Sequence, residues 1–209
     1  MAEIKLTKGE LRIQQQRLGQ LDKYLPTLQL KKALLQLEVN EAKVAIEELQ
    51  NLLMQQRETM EKYRMLIGDR TAFDPKAAAK VVVVERQYEN IAGVEVPLYV
   101  GVQFEKYEYA LFETPPWVDG AVVGVRKAVE IELQIQIGEE KRDALEKELR
   151  EVSIRVNLFE KILIPRAKAN IKKIRVFLGD QQLAAVSQGK VAKTKILERE
   201  EAERRNDAH

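Results

Sequence analysis

The chain of 209 residues contains no cysteine, and its only histidine is the last residue, His209. The absence of cysteine excludes disulfides, thiolate metal sites and thiol nucleophiles. A single terminal histidine excludes histidine zinc sites and serine–histidine triads. Aromatic residues form only 6% of the chain, whereas charged residues form 33%. This balance is typical of long solvated helices rather than of a thick globular core.

Long hydrophobic runs are also missing. No stretch approaches the roughly 18 uncharged apolar residues that span a bilayer, and residues 1–7 lack the apolar segment of a signal peptide. We therefore expect a soluble intracellular protein with no direct membrane insertion.

The sequence contains no set of residues with the types and spacing that a catalytic site requires. None of the ten glycines stands in a phosphate-binding loop, and no serine has a base to activate it. Carboxylate pairs such as Glu139–Glu140 are typical of a solvated helix face. The sequence thus predicts no catalytic residue, no cofactor site and no metal site, and the chain is not expected to be an enzyme by itself.

Residues 8–67 carry an apolar heptad repeat with little interruption. A 3.5-residue repeat of this length is typical of a left-handed coiled coil, because a straight globular helix drifts off such a stripe by ~20° per heptad. The packing positions, which we call the seam, comprise in this half Leu11, Leu18, Leu21, Leu25, Leu28, Leu35, Val39, Ile46, Leu49 and Leu53.

A second heptad repeat occupies the C-terminal half. The repeat is interrupted after Leu163, where an additional four-residue step leads to Ala167. Such a stutter should locally unwind the supercoil. The seam of this half comprises Leu145, Leu149, Val152, Val156, Phe159, Leu163, Ile171, Ile174 and Leu178.

Between the repeats, the pattern changes to that of β-strands. Residues 81–84 are four consecutive valines, and apolar residues alternate from Val94 to Phe104. We therefore expect short strands or a hairpin. The prolines in Thr114–Trp117 should mark the return point, with helix resuming from Ala121.

Residues 131–137 alternate as a strand would, but the helical spacing of the apolar residues before them favours a helix.

The predicted fold class is mainly α: a long antiparallel two-helix coiled-coil hairpin with a short β-rich insert. Residues 1–67 form the first helix, residues 68–121 the insert, and residues 122–209 the second helix. Residues beyond about 181 then have no partner helix, so a charged end should protrude.

Two prolines interrupt the predicted helices. In the antiparallel register, Pro26 and Pro165 fall at the same level of the hairpin. Because each removes a helix hydrogen bond and favours a kink, we expect them to bend the whole shaft at that level.

The net charge of +2 conceals an uneven distribution. Residues 155–195 contain ten basic and two acidic residues, too few acids for pairing along the helix. No aromatic platform or groove-reading motif accompanies this charge, so an acidic protein surface fits better than nucleic acid. The predicted basic face comprises Arg155, Lys161, Arg166, Lys168, Lys172, Lys173 and Arg175.

Several motifs carry a family resemblance. Ile154–Glu160, followed by Ile164-Pro165 and Ile171–Ile174, resembles the signature R-V-N-x-L-E, I-P and I-x-x-I of the D subunit of the V-type and A-type rotary ATPases. Tyr88–Val94 is similar to that family's Y-x-N-x-x-G-V. Leu28–Leu35 departs from the Gly-x-x-Leu-Leu-x-x-Lys-Arg-Asp segment that members often carry, which indicates a divergent bacterial branch.

The resemblance implies a non-catalytic rotor subunit of the central stalk. Such a subunit transmits torque between ATP synthesis or hydrolysis in a catalytic hexamer and ion transport, such as hydrogen-ion transport, in a membrane rotor ring. The implied partners are the catalytic and regulatory (A and B type) hexamer subunits, a small F-type stalk subunit and the subunit that caps the membrane rotor. The implied location is cytoplasmic, peripheral to the membrane, with the basic face towards the hexamer.

Two alternative functions share some of these features. A prefoldin-like coiled-coil chaperone also has two arms around strands, but its arm tips are apolar, whereas residues 190–205 are polar and charged. A nucleic-acid-associated coiled-coil protein would bind duplex DNA with a steep dependence on salt.

Overall fold

The structure is a computed structural model that describes residues 4–61, 73–109 and 114–206, with side chains described up to residue 200. Its elements in chain order are α1 (Lys8–Glu61), α2 (Pro75–Ala78), β1 (Val81–Ile91), β2 (Val94–Phe104), α3 (Trp117–Leu158), a π-helical turn (Phe159–Leu163) and α4 (Ile164–Asn206). Long helices pack together with a two-stranded antiparallel hairpin between them, so the predicted fold class is confirmed. The predicted end of the first helix, at residue 67, lies outside the described residues.

The chain divides into two compact units. Unit 1 comprises Met1–Leu28 and Arg155–His209, and unit 2 comprises Gln29–Ile154. Each unit has its own pairing of helices.

In unit 2, α1 packs antiparallel against α3. As α1 advances from Lys43 to Arg57, its ion-pair partners on α3 retreat from Glu146 to Glu132, each at 2.7 Å. The buried apolar residues of this pair include Leu35, Val39, Ala42, Ile46, Leu53, Ile131, Ile137, Leu145 and Val152.

A glycine allows this pair of helices to approach closely. A Cβ added at Gly138 would lie 3.2 Å from Cγ1 of Ile46, which is tighter than ordinary van der Waals contact. The missing side chain therefore makes room for the branched Ile46 in the seam.

In unit 1, the beginning of α1 packs with the first part of α4. Thr7 caps α1, because its Oγ1 accepts a hydrogen bond from the backbone N–H of Glu10 at 3.2 Å. The buried apolar residues of unit 1 include Leu21, Val156, Ile164, Ala167, Ile171 and Ile174. From residue 180 to residue 200 every residue is exposed, so this part of α4 has no packing partner within the described chain.

The π-helical turn lies where the heptad repeat contains its stutter. The N–H of Ile164 donates to the carbonyl of Phe159, five residues earlier. Ile164 is 7% exposed and occupies the buried position, whereas the predicted seam residue Leu163 is only half-buried. The additional residue is thus absorbed by one wide turn, and the apolar stripe stays on one face.

The β-hairpin closes with a two-residue turn. Ala92 and Gly93 have φ values of 52° and 85°, as a type I′ turn requires. The Asn90 side chain accepts a hydrogen bond from the Gly93 N–H at 2.9 Å and fixes the turn. The expected hairpin is therefore present.

Helix α3 begins at Trp117, four residues before the expected Ala121. The prolines that precede Trp117 cannot lie inside a helix, but they leave the first turn free to form directly after them. Residues 131–137 are helical, as predicted, because their apolar side chains meet α1 at helical spacing.

Candidate interaction surfaces

The seven residues of the predicted basic face are all exposed on unit 1. Arg155 has an interaction partner within the chain. Among the described residues, the six others make no ion pair within 4.0 Å: Lys161, Arg166, Lys168, Lys172, Lys173 and Arg175.

A groove of about 520 Å³ runs along this face. Its walls carry Lys168, Lys172 and Arg175 from α4, together with Asp22 from α1, and its apolar part includes Leu18 and Ile171. Charges counted along α4 alone omit Asp22, which lies on the other helix. One carboxylate against three cations leaves the groove positive.

A second groove of about 410 Å³ lies nearer the start of α1 and has the same character. Lys5, Arg17 and Arg166 line it beside a single acid, Glu10. Positive charge therefore extends along both grooves of unit 1.

The two units carry opposite net charges. Residues 1–28 and 155–209 contain 18 basic and 10 acidic residues, whereas residues 29–154 contain 17 basic and 23 acidic residues. The difference is +8 for unit 1 and −6 for unit 2. Each unit therefore favours partner surfaces of the opposite sign.

In unit 2, polar side chains fasten the hairpin to α3. The Tyr99 hydroxyl donates to Glu130 at 3.0 Å, and Arg86 forms an ion pair with Glu140 at 2.9 Å. Arg126 holds the end of β2, where it donates to the carbonyl of Glu105 at 2.8 Å. These contacts were not foreseen, because each joins residues that lie far apart in the sequence.

Among the side chains that hold the hairpin against α3, Tyr99 has the largest pKa shift. Partial burial and the hydrogen bond to Glu130 both favour the neutral phenol, so they raise the pKa of Tyr99 from 10.0 to about 12. The Tyr99 hydroxyl therefore stays protonated, and remains a hydrogen-bond donor, to higher pH than an ordinary tyrosine.

An aromatic cluster lies where α2 meets the start of α3. Phe73 is 1% exposed and makes edge-to-face contacts with Tyr107 and Trp117, each with ring centroids 6.2 Å apart. The Tyr109 hydroxyl donates to Asp119, and this hydrogen bond raises the pKa of Tyr109. The cluster is a small apolar core that links the chain on both sides of the hairpin.

The described part of the chain contains no group of three or more acidic or histidine side chains placed to hold a metal ion. In the same residues, no helix is both long and apolar enough to cross a bilayer.

Comparison with known proteins identifies the family. The family model for the D subunit of ATP synthase matches residues 10–194. The chain is 40% identical over 203 residues to the V-type ATP synthase D subunit of Borreliella burgdorferi, which covers 95% of this chain and 98% of that protein. It is 42% identical over 201 residues to the D subunit of the V-type ATP synthase from Chlamydia caviae, with 96% and 97% covered. The chain therefore belongs to the family of ATP synthase D subunits.

Proposed function

We propose that this chain is the central-stalk rotor subunit of a V-type ATP synthase. In this role it transmits torque between a hexamer of catalytic and regulatory subunits and a membrane rotor ring that transports ions. Catalysis belongs to the hexamer. The further partners are the small F-type stalk subunit and the cap of the membrane rotor, and the chain lies with them on the cytoplasmic side of the membrane.

The observation that carries this proposal is the positive, exposed face of unit 1 on a pair of packed helices. A shaft has to contact its ring without being trapped at one angle. Cations on exposed side chains can meet acidic loops at several angles with comparable energy, because such interactions are weak and non-directional in water. An interlocking apolar surface would favour one angle.

The prolines support an asymmetric shaft. Pro26 lies inside α1, and Pro165 is the second residue of α4, separated by Ile164 from the end of the π-helical turn; both lie within unit 1. Pro165 has no N–H to donate to the carbonyl of Lys161, so the helix is weakened at this level. We propose that the two prolines bend the helix pair and thereby place the catalytic sites of the ring in different states.

Coupling between the shaft and the ring is reciprocal. If the angle of the shaft changes the nucleotide affinity of a catalytic site, nucleotide binding must bias the angle of the shaft by the same free energy.

The test is charge reversal on the basic face in an assembled, membrane-bound complex. We expect Lys168→Glu, Lys172→Glu, Lys173→Glu and Arg175→Glu together to lower the number of ions pumped per ATP several-fold, with an unchanged helical circular dichroism spectrum.

A matched control applies the same charge change to exposed cations of unit 2. The control variant combines Lys76→Glu, Lys127→Glu, Lys147→Glu and Arg150→Glu. Coupled turnover should survive in the control. Coupling that is normal in the face variant, or equally impaired in both variants, would refute the proposed role of this face.

Family membership argues against the prefoldin-like and the nucleic-acid-associated alternatives, because both belong to other families.

A further inference from the structure

The smaller groove of unit 1 brings together cations that are distant in the sequence. We call this groove of about 410 Å³ the N-terminal groove. Lys5 precedes α1, Arg17 lies within α1, and Arg166 belongs to α4. All the residues that line the groove lie in unit 1. The packing of α1 against α4 therefore creates a recess in which three positive side chains line the same space.

These three cations are not neutralised by the chain itself. Within the residues that the structure describes, no carboxylate lies within 4.0 Å of the charged groups of Lys5, Arg17 or Arg166. The groove has one acid in its described lining, Glu10, and a carboxylate oxygen of Glu10 accepts a hydrogen bond from the side-chain amide of Gln14 at 2.8 Å. The groove thus stays positive, within a unit of net charge +8.

The wall on the α4 side owes its shape to the π-helical turn. Because that turn places Ile164 in the seam, Leu163 is only half-buried and lines the groove beside Ala167. Asn170, which is also half-buried, adds a side-chain amide that can donate hydrogen bonds. A ligand in the groove therefore meets cations and an amide donor next to a short apolar wall.

The size of the groove and the spacing of its cations define the kind of ligand. Small-molecule sites have volumes of about 300–1,000 Å³, so this groove suits a small ligand rather than a helix or a strand. Arg17 lies about 14 Å along the helix axis from Lys8, the first residue of α1, and Lys5 precedes Lys8. At this separation, an extended chain of anionic groups contacts the cations at both ends more easily than one compact anion does.

Phosphate groups match these side chains better than the carboxylates of a peptide do. An arginine guanidinium donates two parallel hydrogen bonds to a phosphate group and keeps its charge at any physiological pH. A triphosphate concentrates several negative charges in a volume that the groove can hold, whereas a peptide needs one residue for each charge. The chemistry of the groove is therefore that of a phosphate-chain site.

We propose that the N-terminal groove binds a small ligand with a chain of linked phosphate groups, either inorganic or part of a nucleotide. Arg17 and Arg166 donate to phosphate oxygens from opposite helices, and Lys5 supplies the third positive charge. This inference does not rest on the proposed torque function, since none of the four residues reversed in that test lines this groove.

The test is isothermal titration calorimetry of the full chain with inorganic triphosphate and with orthophosphate, in a buffer without divalent cations. We expect triphosphate to bind at least about tenfold more tightly than orthophosphate, with an affinity that declines at about 0.5 M salt. ATP distinguishes the source of the phosphate chain. Binding of ATP as tight as that of triphosphate, or tighter, supports a nucleotide, and weaker binding of ATP supports an inorganic chain.

Two variants separate the charge of the groove from its hydrogen-bond geometry. The triple variant Lys5→Gln, Arg17→Gln and Arg166→Gln should weaken triphosphate binding about tenfold or more. The double variant Arg17→Lys with Arg166→Lys keeps both charges but removes the planar forks, and it should weaken binding several-fold. All three side chains are exposed, so the helical circular dichroism spectrum should not change.

The matched control also removes two arginines and one lysine from exposed positions of unit 1, at residues that do not line this groove: Arg12→Gln, Lys23→Gln and Arg175→Gln. Triphosphate binding should persist in the control. An equal loss in the control, or equal binding of orthophosphate and triphosphate, would overturn the proposal. Binding of a tetraglutamate peptide as tight as that of triphosphate would also overturn it, because the groove would then accept an acidic protein segment.

Discussion

Adjacent leucines of α1 lie in opposite environments. Leu35 is fully buried in the seam, whereas Leu34 is 48% exposed, because one residue along an α-helix turns the side chain by about 100°. Composition and helix propensity are identical at the two positions, so any difference in their effect on stability reports tertiary packing alone.

We expect Leu35→Ala to lower the free energy of unfolding by about 2–5 kcal/mol, because it removes a buried side chain and leaves a cavity. The control Leu34→Ala should change it by no more than ~0.5 kcal/mol. Urea denaturation followed by circular dichroism measures both. Similar losses in the two variants would show that α1 is rotated relative to the described packing.

At Tyr99, ionisation is coupled to the docking of the hairpin. The pKa of Tyr99 is raised from 10.0 to about 12, so its contribution to stability is complete below pH 10 and is lost as the pH rises through about 12.

Tyr99→Phe should therefore remove part of the alkaline destabilisation between pH ~10 and ~12. The measurement is the urea midpoint at a series of pH values, with Tyr88→Phe, at an exposed position of β1, as the control. If Tyr88→Phe flattened the profile as much as Tyr99→Phe, the hydrogen bond to Glu130 could not be the cause.

At the scale of elements, the π-helical turn keeps the buried apolar residues on one face of the helix although the heptad repeat is interrupted. Val156 and Ile164 are both buried but lie eight residues apart, one more than a heptad. The turn Phe159–Leu163 takes up that one residue, and the stripe then continues through Ala167 and Ile171 in register.

Deletion of Lys161 should therefore be tolerated when it is combined with Pro165→Ala. The deletion shortens the eight-residue interval between Val156 and Ile164 to one heptad, and the alanine supplies the backbone N–H that a regular α-helix needs. The control deletes Lys147, also exposed, in the same Pro165→Ala background.

The control deletion turns the following seam residues by about 100° out of the interface and should destabilise the protein strongly. Thermal unfolding followed by circular dichroism distinguishes the two variants. Equal destabilisation would mean that the π-helical turn is not a one-residue insertion in the seam.

At the scale of the whole molecule, the helical part of the chain extends beyond the part that has a buried core. Residues 180–200 continue α4 as a helix, yet every one of them is exposed. Since none of these residues is buried against another element, the packing of the rest of the chain does not depend on them. An isolated helix of this length is only marginally stable in water.

Removal of residues 181–209 should leave the free energy of unfolding unchanged within ~0.5 kcal/mol while it reduces the helical signal. Chemical denaturation of the truncated and full chains checks this. A loss of more than about 1 kcal/mol would reveal a contact that the helix makes with the rest of the chain.

The sequence by itself determined the type of each main element. The heptads of residues 8–67 and the alternation from Val94 to Phe104 are local patterns, and local patterns select helix or strand. The charge of residues 155–195 was likewise visible, because charges add along the chain whatever the fold.

Only the tertiary structure decided which of two adjacent apolar residues, Leu163 or Ile164, is buried. It also decided that Asp22 lines a groove with Lys168 and that Leu34 and Leu37 of α1 stay exposed. The physical reason is the same in each case. The orientation of a side chain depends on the geometry of a helix turn a few residues away or on a partner more than a hundred residues distant. A local sequence pattern shows neither of these.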